Sequence, residues 1–109
     1  MKIIDGSNVI YSFKPEMNSV EWVKPGEIFK VITHDCFHGQ IYSESQLMDE
    51  IDYSRLNPAT GPIGIEGAEV GDILKVKILS ILPAATGVTI TLPKEGVLGH
   101  KATKSLTMI

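Results

Sequence analysis

The sequence is poor in several features that mark large classes of proteins. Only 6% of its 109 residues are aromatic, and it contains a single cysteine. A lone cysteine excludes an internal disulfide, so we expect a cytoplasmic location. No apolar run approaches the roughly 20 residues that a transmembrane helix needs. Residues 1–6 also reach an acid and a glycine before the apolar region of a signal peptide could form. We therefore expect no membrane partner.

The charged residues are scattered rather than clustered. Ten Lys and Arg residues stand against 13 Asp and Glu residues, which gives a formal net charge of -3. Proteins that bind nucleic acids carry a basic stripe or patch. The sequence shows none, so we expect no nucleic-acid partner. The length is that of one domain with a modest core, and we expect residues 1–109 to form a single domain.

Short segments rich in β-forming residues recur along the chain, and ten glycines and six prolines supply the turns between them. Regularly spaced short strands of this kind are typical of all-β proteins. The sequence therefore predicts a mainly β fold, a β-sandwich or jelly-roll-like pair of sheets with one short helix. The predicted strands are residues 8–13, 19–23, 28–33, 63–67, 73–81 and 87–92.

The one predicted helix begins at Ser43. Ser43 and Gln46 have the spacing of a capping box, in which the hydroxyl accepts from a free backbone N–H and the amide reaches back. Apolar side chains then recur at three and four residues, as one stripe of a helix requires. These are Leu47, Met48 and Ile51. The helix is expected to end before Asn57-Pro58, because the residue preceding a proline avoids the α region.

Residues 33–41 hold the densest group of chemically active side chains. If this stretch is extended, His34, Cys36 and His38 share one face and Asp35 lies on the other. Two hypotheses stay open. The one-face set could supply three ligands to a zinc-like ion, or Cys36 is an inert core thiol with histidines beside it at a sheet edge. Spacing alone favours the second, because no CxxC or HExxH motif accompanies the set.

Several motifs together suggest a known family. The longest runs from Asn57-Pro58-Ala59-Thr60-Gly61-Pro62 through Glu66-Gly67-Ala68-Glu69 to Gly71-Asp72. The others are Lys24-Pro25-Gly26-Glu27, Asp35-Cys36 with Gly39-Gln40-Ile41, and Gly96-Val97-Leu98-Gly99. In these motifs the chain resembles the acetamidase/formamidase family, enzymes that hydrolyse small linear amides. The similarity spans most of the sequence.

The resemblance implies a metal-dependent amidase that converts an amide of the acetamide or formamide type to a carboxylate and ammonia. A divalent metal would activate the attacking water, with zinc expected first and calcium as the alternative. The aspartate-cysteine pair of the family makes Asp35 the first expected ligand, and His34 and His38 come second.

The remaining expected site residues lie between positions 57 and 66. Glu66, among glycines, is the candidate general base, and a solvated strand residue is the alternative interpretation. Asn57, Thr60 and Gly61 are expected to line the substrate pocket, although Asn57 and Thr60 could equally cap turns.

The chain also departs from the family. A later glycine-rich Thr-His-Gly-Gly-Asn motif and an Asp-x-His motif have no counterpart here, and residues 102–109 read as the start of a further strand. We expect the N-terminal part of such an enzyme, completed by a complementary chain or by homo-oligomerisation. The alternative is a catalytically silent β-sandwich module for binding or assembly, derived from that family.

Overall fold

The computed structural model describes all 109 residues and consists of short strands joined by turns. None of its helical turns has the length and hydropathy to span a bilayer. The strands are β1 (Lys2–Ile4), β2 (Val9–Ile10), β3 (Glu21–Val23), β4 (Phe29–Val31), β5 (Ala59–Thr60), β6 (Ile63–Ile65), β7 (Thr89–Thr91) and β8 (Leu106–Met108). Two single-turn 3₁₀ helices span Met48–Glu50 and Tyr53–Arg55.

The strands pair two by two, and every pair joins distant parts of the sequence. β1 pairs with β4 and β3 with β6 in parallel, whereas β2 with β5 and β7 with β8 are antiparallel. The mainly β prediction is confirmed. The four two-stranded sheets do not confirm the finer prediction of a sandwich or jelly roll. Strand β1 was not anticipated, because residues 1–6 show no alternation.

The apolar core is small. Phe37, Ile41 and Met48 form one buried cluster. Half-buried apolar side chains from the middle and end of the chain pack against it. They are Ile51, Leu56, Val88, Ile90 and Leu92. The cluster anchors the loop that follows β4, because Phe37 lies in that loop.

The predicted α-helix after Ser43 is wrong, since only the two 3₁₀ turns form there. The capping prediction is correct in one half: Gln46 Oε1 accepts from the Ser43 N–H at 2.9 Å. Leu47 and Ile51 have extended backbones on either side of the first turn. Asp52 then accepts from the Ser54 N–H at 2.9 Å. Side-chain bonds of this kind compete with the helical ladder, and a short helix has too few bonds to offset its nucleation.

The strand predicted over residues 73–81 does not form either. Residues 73–82, which we call the apolar segment, make no hydrogen bond, and their apolar side chains are 60–96% exposed. Seven of these side chains are Ile, Leu or Val. Burying each would contribute roughly 1.5–3 kcal/mol, so about 10–20 kcal/mol of transfer free energy is unrealised. The apolar segment therefore has the side-chain pattern of a strand, but no other strand of this chain pairs with it.

The overall dimensions agree with this small core. The radius of gyration is 17.4 Å and the principal extents are 51 × 29 × 23 Å. A compact domain of this length would have a radius of gyration of about 13 Å. The chain is thus an elongated framework, on which the strand pairs hold particular loops in place.

Close packing in the β3–β6 pair depends on Gly64. The register sets Gly64 directly opposite Trp22. A Cβ atom at Gly64 would lie 2.5–2.7 Å from three atoms of the Trp22 ring. The lack of a side chain at Gly64 therefore permits the close approach of the indole ring.

Gly64→Ala should destabilise the chain by about 1–3 kcal/mol, because the methyl group forces the indole ring or the strand to move. Urea denaturation followed by the fluorescence of Trp22, the only tryptophan, measures the change. Gly87→Ala is the matched control, since a Cβ there meets no atom within 4 Å. Equal unfolding midpoints for the two variants would contradict this packing.

Candidate functional site

The loop after β4 is held against the start of the chain. The Ile32 N–H donates to the Ile4 carbonyl at 2.9 Å and so extends the β1–β4 contact. Gly6 follows with φ +76°, and a Cβ there would lie 2.8 Å from the Ile32 oxygen and 3.2 Å from His34 Nε2. Glycine at position 6 therefore allows His34 to approach the backbone of the first turn.

His34 is fixed by a hydrogen bond to that turn. Its Nε2 atom lies 2.8 Å from the Gly6 carbonyl oxygen. A carbonyl oxygen only accepts, so Nε2 carries a proton, and in the neutral imidazole Nδ1 is the nitrogen with the lone pair. Histidines that bind metals commonly hold the second ring nitrogen in this way. His34 is thus prepared to act as a ligand or a base through Nδ1.

A turn brings the second imidazole beside the first. The His38 N–H donates to the Asp35 carbonyl at 2.9 Å, and the His34 and His38 ring centroids are 4.7 Å apart. Asp35 Oδ1 accepts from the Gly39 N–H at 2.6 Å and closes the turn. The extended conformation assumed for residues 34–38 is therefore wrong, and the two imidazoles meet through this turn.

The same turn determines the position of the Cys36 side chain. Phe37 takes the buried position, and Cys36 is exposed. The hypothesis of an inert core thiol is therefore wrong. Desolvation of the sulfur, followed by the charge of Asp35, raises the pKa of the Cys36 thiol. A thiol with a raised pKa is a poor nucleophile at neutral pH, so the structure does not favour cysteine catalysis.

Tyr11 completes the imidazole pair, and sequence reasoning missed it. Its hydroxyl lies 2.8 Å from His38 Nδ1, and the two rings are 5.8 Å apart. Tyr11 follows β2, which the antiparallel β2–β5 pair holds in place. Tyr11 and His38 are 27 positions apart, so no local motif relates them. The sequence predicted only a strand around Tyr11.

The loop that contains three predicted substrate-binding residues lies against the histidine loop. The Asn57 N–H donates to the Cys36 carbonyl at 2.7 Å. Thr60 donates its hydroxyl to the Ile32 carbonyl at 2.7 Å, and the Gly61 N–H donates to the Asn8 carbonyl at 3.0 Å. The structure thus brings Asn57 and Thr60 to the segment that carries His34 and His38, and it holds Gly61 against the residue that precedes β2.

Both loops contain a residue in a left-handed conformation. His38 has φ 54° and Asn57 has φ 55°. Left-handed residues other than glycine are uncommon, and they concentrate at functional sites whose surroundings fix them. Here the Tyr11 bond holds His38, and the Cys36 bond holds Asn57. The strain therefore supports the assignment of these loops as a site.

Charges around the pair favour a neutral His38. Desolvation of its half-buried ring is the largest effect. Repulsion from Arg55, and from His34 whenever that ring is protonated, adds to it, so the pKa of His38 lies below its ordinary value. An uncharged imidazole at neutral pH can accept a proton or coordinate a metal ion.

The fit of a metal ion to these residues is partial. His34 and His38 offer two imidazole nitrogens, Nδ1 of the first and Nε2 of the second. No three His, Cys, Asp or Glu side chains stand close enough together to hold an ion, so Asp35 does not close a site with them. The metal assignment of Asp35, His34 and His38 stays a prediction.

Glu66 stands apart from this arrangement. It follows β6, and its N–H donates to the Val23 carbonyl at 2.9 Å. Its side chain is exposed and belongs to the β3–β6 pair rather than to the histidine loop. The general-base role of Glu66 stays a prediction.

A pair of imidazoles thus lies at the surface of the chain, beside a loop in which Asn57 has a left-handed conformation. The model of the acetamidase/formamidase family matches residues 5–106. The chain belongs to the acetamidase/formamidase family, and this agrees with the expectation that it corresponds to the N-terminal portion of such a protein.

Curated relatives carry amidase names. A formamidase of Methylophilus methylotrophus is 38% identical over 69 residues, which cover 62% of this chain and 17% of that protein. An acetamidase of Mycolicibacterium smegmatis is 37% identical over 71 residues, which cover 63% of this chain and 18% of that protein. The aligned part is thus less than a fifth of each relative's length.

Solved structures share the fold of nearly the whole chain. The acetamidase of Bacillus halodurans is 35% identical with a TM-score of 0.93, over 97% of this chain and 36% of that one. A predicted acetamidase/formamidase of Thermoanaerobacter tengcongensis is 42% identical with a TM-score of 0.91, over 97% and 35%. The chain therefore spans about a third of those structures.

Arg55→Gln should raise the pKa of His38, because removing a nearby positive charge favours the imidazolium form. An NMR titration of the imidazole ring protons measures the shift. Arg55→Lys keeps the charge and should leave the pKa of His38 low. If both variants titrate like the unaltered chain, Arg55 does not act on this imidazole.

The stability of the chain should also depend on His38. Its pKa is lowered in the folded state, so the unfolded state binds more protons between that pKa and about 6.5. Stability should rise as the pH increases through this window, and His38→Gln should flatten the rise. Urea midpoints measured between pH 5 and pH 7 test this. A slope that survives the substitution would show that other groups cause it.

Proposed function

We propose that this chain is part of a metal-dependent amidase that hydrolyses a small linear amide, such as formamide or acetamide, to a carboxylate and ammonia. The observation that carries the proposal is the His34–His38 pair beside the Asn57–Gly61 loop, in a chain of the acetamidase/formamidase family. The names of the curated relatives support the substrate class.

Amide hydrolysis needs an activated water molecule and stabilisation of the oxyanion that forms. A bound divalent ion supplies both effects. The two imidazoles favour zinc over calcium, because zinc accepts nitrogen ligands and calcium prefers six to eight oxygens. In the proposal His34 would hold the ion through Nδ1 and His38 through Nε2. Asp35, which does not close a site with them in this chain, would contribute its carboxylate only in the completed assembly. Ligands from outside these residues complete the site.

The residues of this chain have separate roles in the proposal. Tyr11 orients the His38 ring through the 2.8 Å bond to Nδ1. The Asn57 side chain forms no hydrogen bond in the structure, so its amide group is free to bind the substrate amide. Thr60 keeps its hydroxyl oxygen available as an acceptor, and Gly61 shapes the loop. Glu66, which belongs to the β3–β6 pair in this chain, is proposed as the general base, and it would accept a proton from water only in the completed assembly.

The test is ammonia release from formamide and acetamide by this chain coexpressed with the complementary portion of the family fold, with zinc content measured on the same sample. Asp35→Asn should lower metal content or turnover roughly 10–100-fold, as the loss of a ligand or its hydrogen-bond partner does. Asp49→Asn, at an exposed carboxylate, is the control.

The two candidate functions differ in the outcome. Metal content and turnover that Asp35→Asn leaves unchanged would show that Asp35 is only structural. An assembled sample that binds no zinc and releases no ammonia would instead favour a catalytically silent binding module derived from the family.

A further inference from the structure

We propose that the apolar segment, residues 73–82, is a docking surface for a polypeptide that carries the remaining portion of the acetamidase/formamidase fold. In the complex, residues 73–82 would form a strand that pairs with a neighbouring strand along each of its two edges. The proposal rests on family membership and on the geometry of the segment, and it does not depend on amide hydrolysis.

The side chains of the segment match a strand with one apolar face. Leu74, Val76 and Ile78 share that face in an extended chain, whereas the other face carries Lys75 and Lys77 between Ile73 and Leu79. The apolar side chains of the segment are at least 60% exposed. Alternation of this kind is typical of a strand that buries one face, and nothing in this chain covers that face.

The backbone of the segment is equally open. Residues 73–87 form no hydrogen bond, so the N–H and C=O groups on both edges are available. Exposed edges of this kind template pairing with another strand, and added strands gain affinity from main-chain hydrogen bonds. The segment can thus accept a neighbouring strand on either side.

The comparison structures identify the occupant. The fold of this chain, including the apolar segment, matches the Bacillus halodurans acetamidase at a TM-score of 0.93 over 97% of its length. That match uses only 36% of the longer chain. The segment therefore has the conformation that it takes inside a larger fold, and the remaining part of that fold is the natural neighbour.

A second copy of this chain fits the segment less well. In an antiparallel pair centred on Val76, Lys75 of one copy would stand opposite Lys77 of the other. A parallel pair in register would set each lysine opposite its own equivalent. Like charges directly opposite each other destabilise a strand pair. The charge pattern therefore favours a different sequence as partner.

The experiment coexpresses the full 109-residue chain with the complementary two-thirds of the Thermoanaerobacter tengcongensis protein, which is 42% identical where the two match. Light scattering measures stoichiometry, and hydrogen exchange measures protection of the amides in residues 73–87. We expect a one-to-one complex in which these amides exchange at least tenfold more slowly than in the chain alone.

Substitutions locate the contact. Val76→Asp should weaken the complex at least tenfold, because it sets a carboxylate on the apolar face. Phe13→Asp, at a side chain that is 84% exposed outside the segment, should leave the complex intact. Equal weakening by both variants would overturn the assignment of the surface.

Two further results would overturn the proposal. One is a dimer of this chain in which the same amides are protected, and the other is a coexpressed sample in which they still exchange rapidly. A stable, protected complex that releases no ammonia would leave this proposal standing and would count only against the amidase function.

Discussion

The candidate site depends on the hydrogen bond between His34 Nε2 and the Gly6 carbonyl. It joins the loop after β4 to the turn after β1 at 2.8 Å, and it fixes which nitrogen of His34 keeps a lone pair. Only a glycine at position 6 leaves room for this approach, because a side chain there would collide with the Ile32 carbonyl. The β1–β4 pair holds both partners in register.

Strand pairing and burial position the remaining parts of the site. The β2–β5 pair positions Tyr11 beside His38 and Thr60 beside the Ile32 carbonyl. Burial of Phe37 anchors the loop itself. The strand pairs join residues that are distant in the sequence, whereas the turn at residues 35–39 is local. The site is therefore a product of strand pairing combined with this turn.

Local features could be predicted from the sequence. The turn at residues 24–27 forms as the proline and glycine indicated, with the Glu27 N–H donating to the Lys24 carbonyl at 3.0 Å. The strands around residues 21–23, 29–31 and 89–91 lie within the predicted segments. In these cases turn residues and alternation are sufficient, because both act over a few positions.

Features set by distant contacts could not be predicted. The alternation of side chains set His34 and Asp35 on opposite faces, but the Gly39 bond to Asp35 turns the chain and ends the alternation. The contact of Tyr11 with His38 could not be predicted either, since nothing in the spacing of the two residues relates them. The apolar segment shows the opposite case: its pattern is that of a strand, and the neighbours that such a strand requires are not in this chain.

The framework and the site thus point to one account. In the proposals above, this chain holds two imidazoles side by side on one loop, and the larger family fold would supply what surrounds them. Such a division would produce both the lack of a third metal-binding side chain near this pair and the exposure of the apolar segment. The chain spans about a third of its solved relatives.

The most direct test of this account is X-ray absorption at the zinc edge of the zinc-loaded, coexpressed assembly. The account predicts scattering from two imidazole nitrogens at about 2.0–2.1 Å, and each of His34→Ala and His38→Ala should remove one imidazole contribution. A zinc environment that both substitutions leave unchanged, or an assembly that binds no zinc, would contradict it.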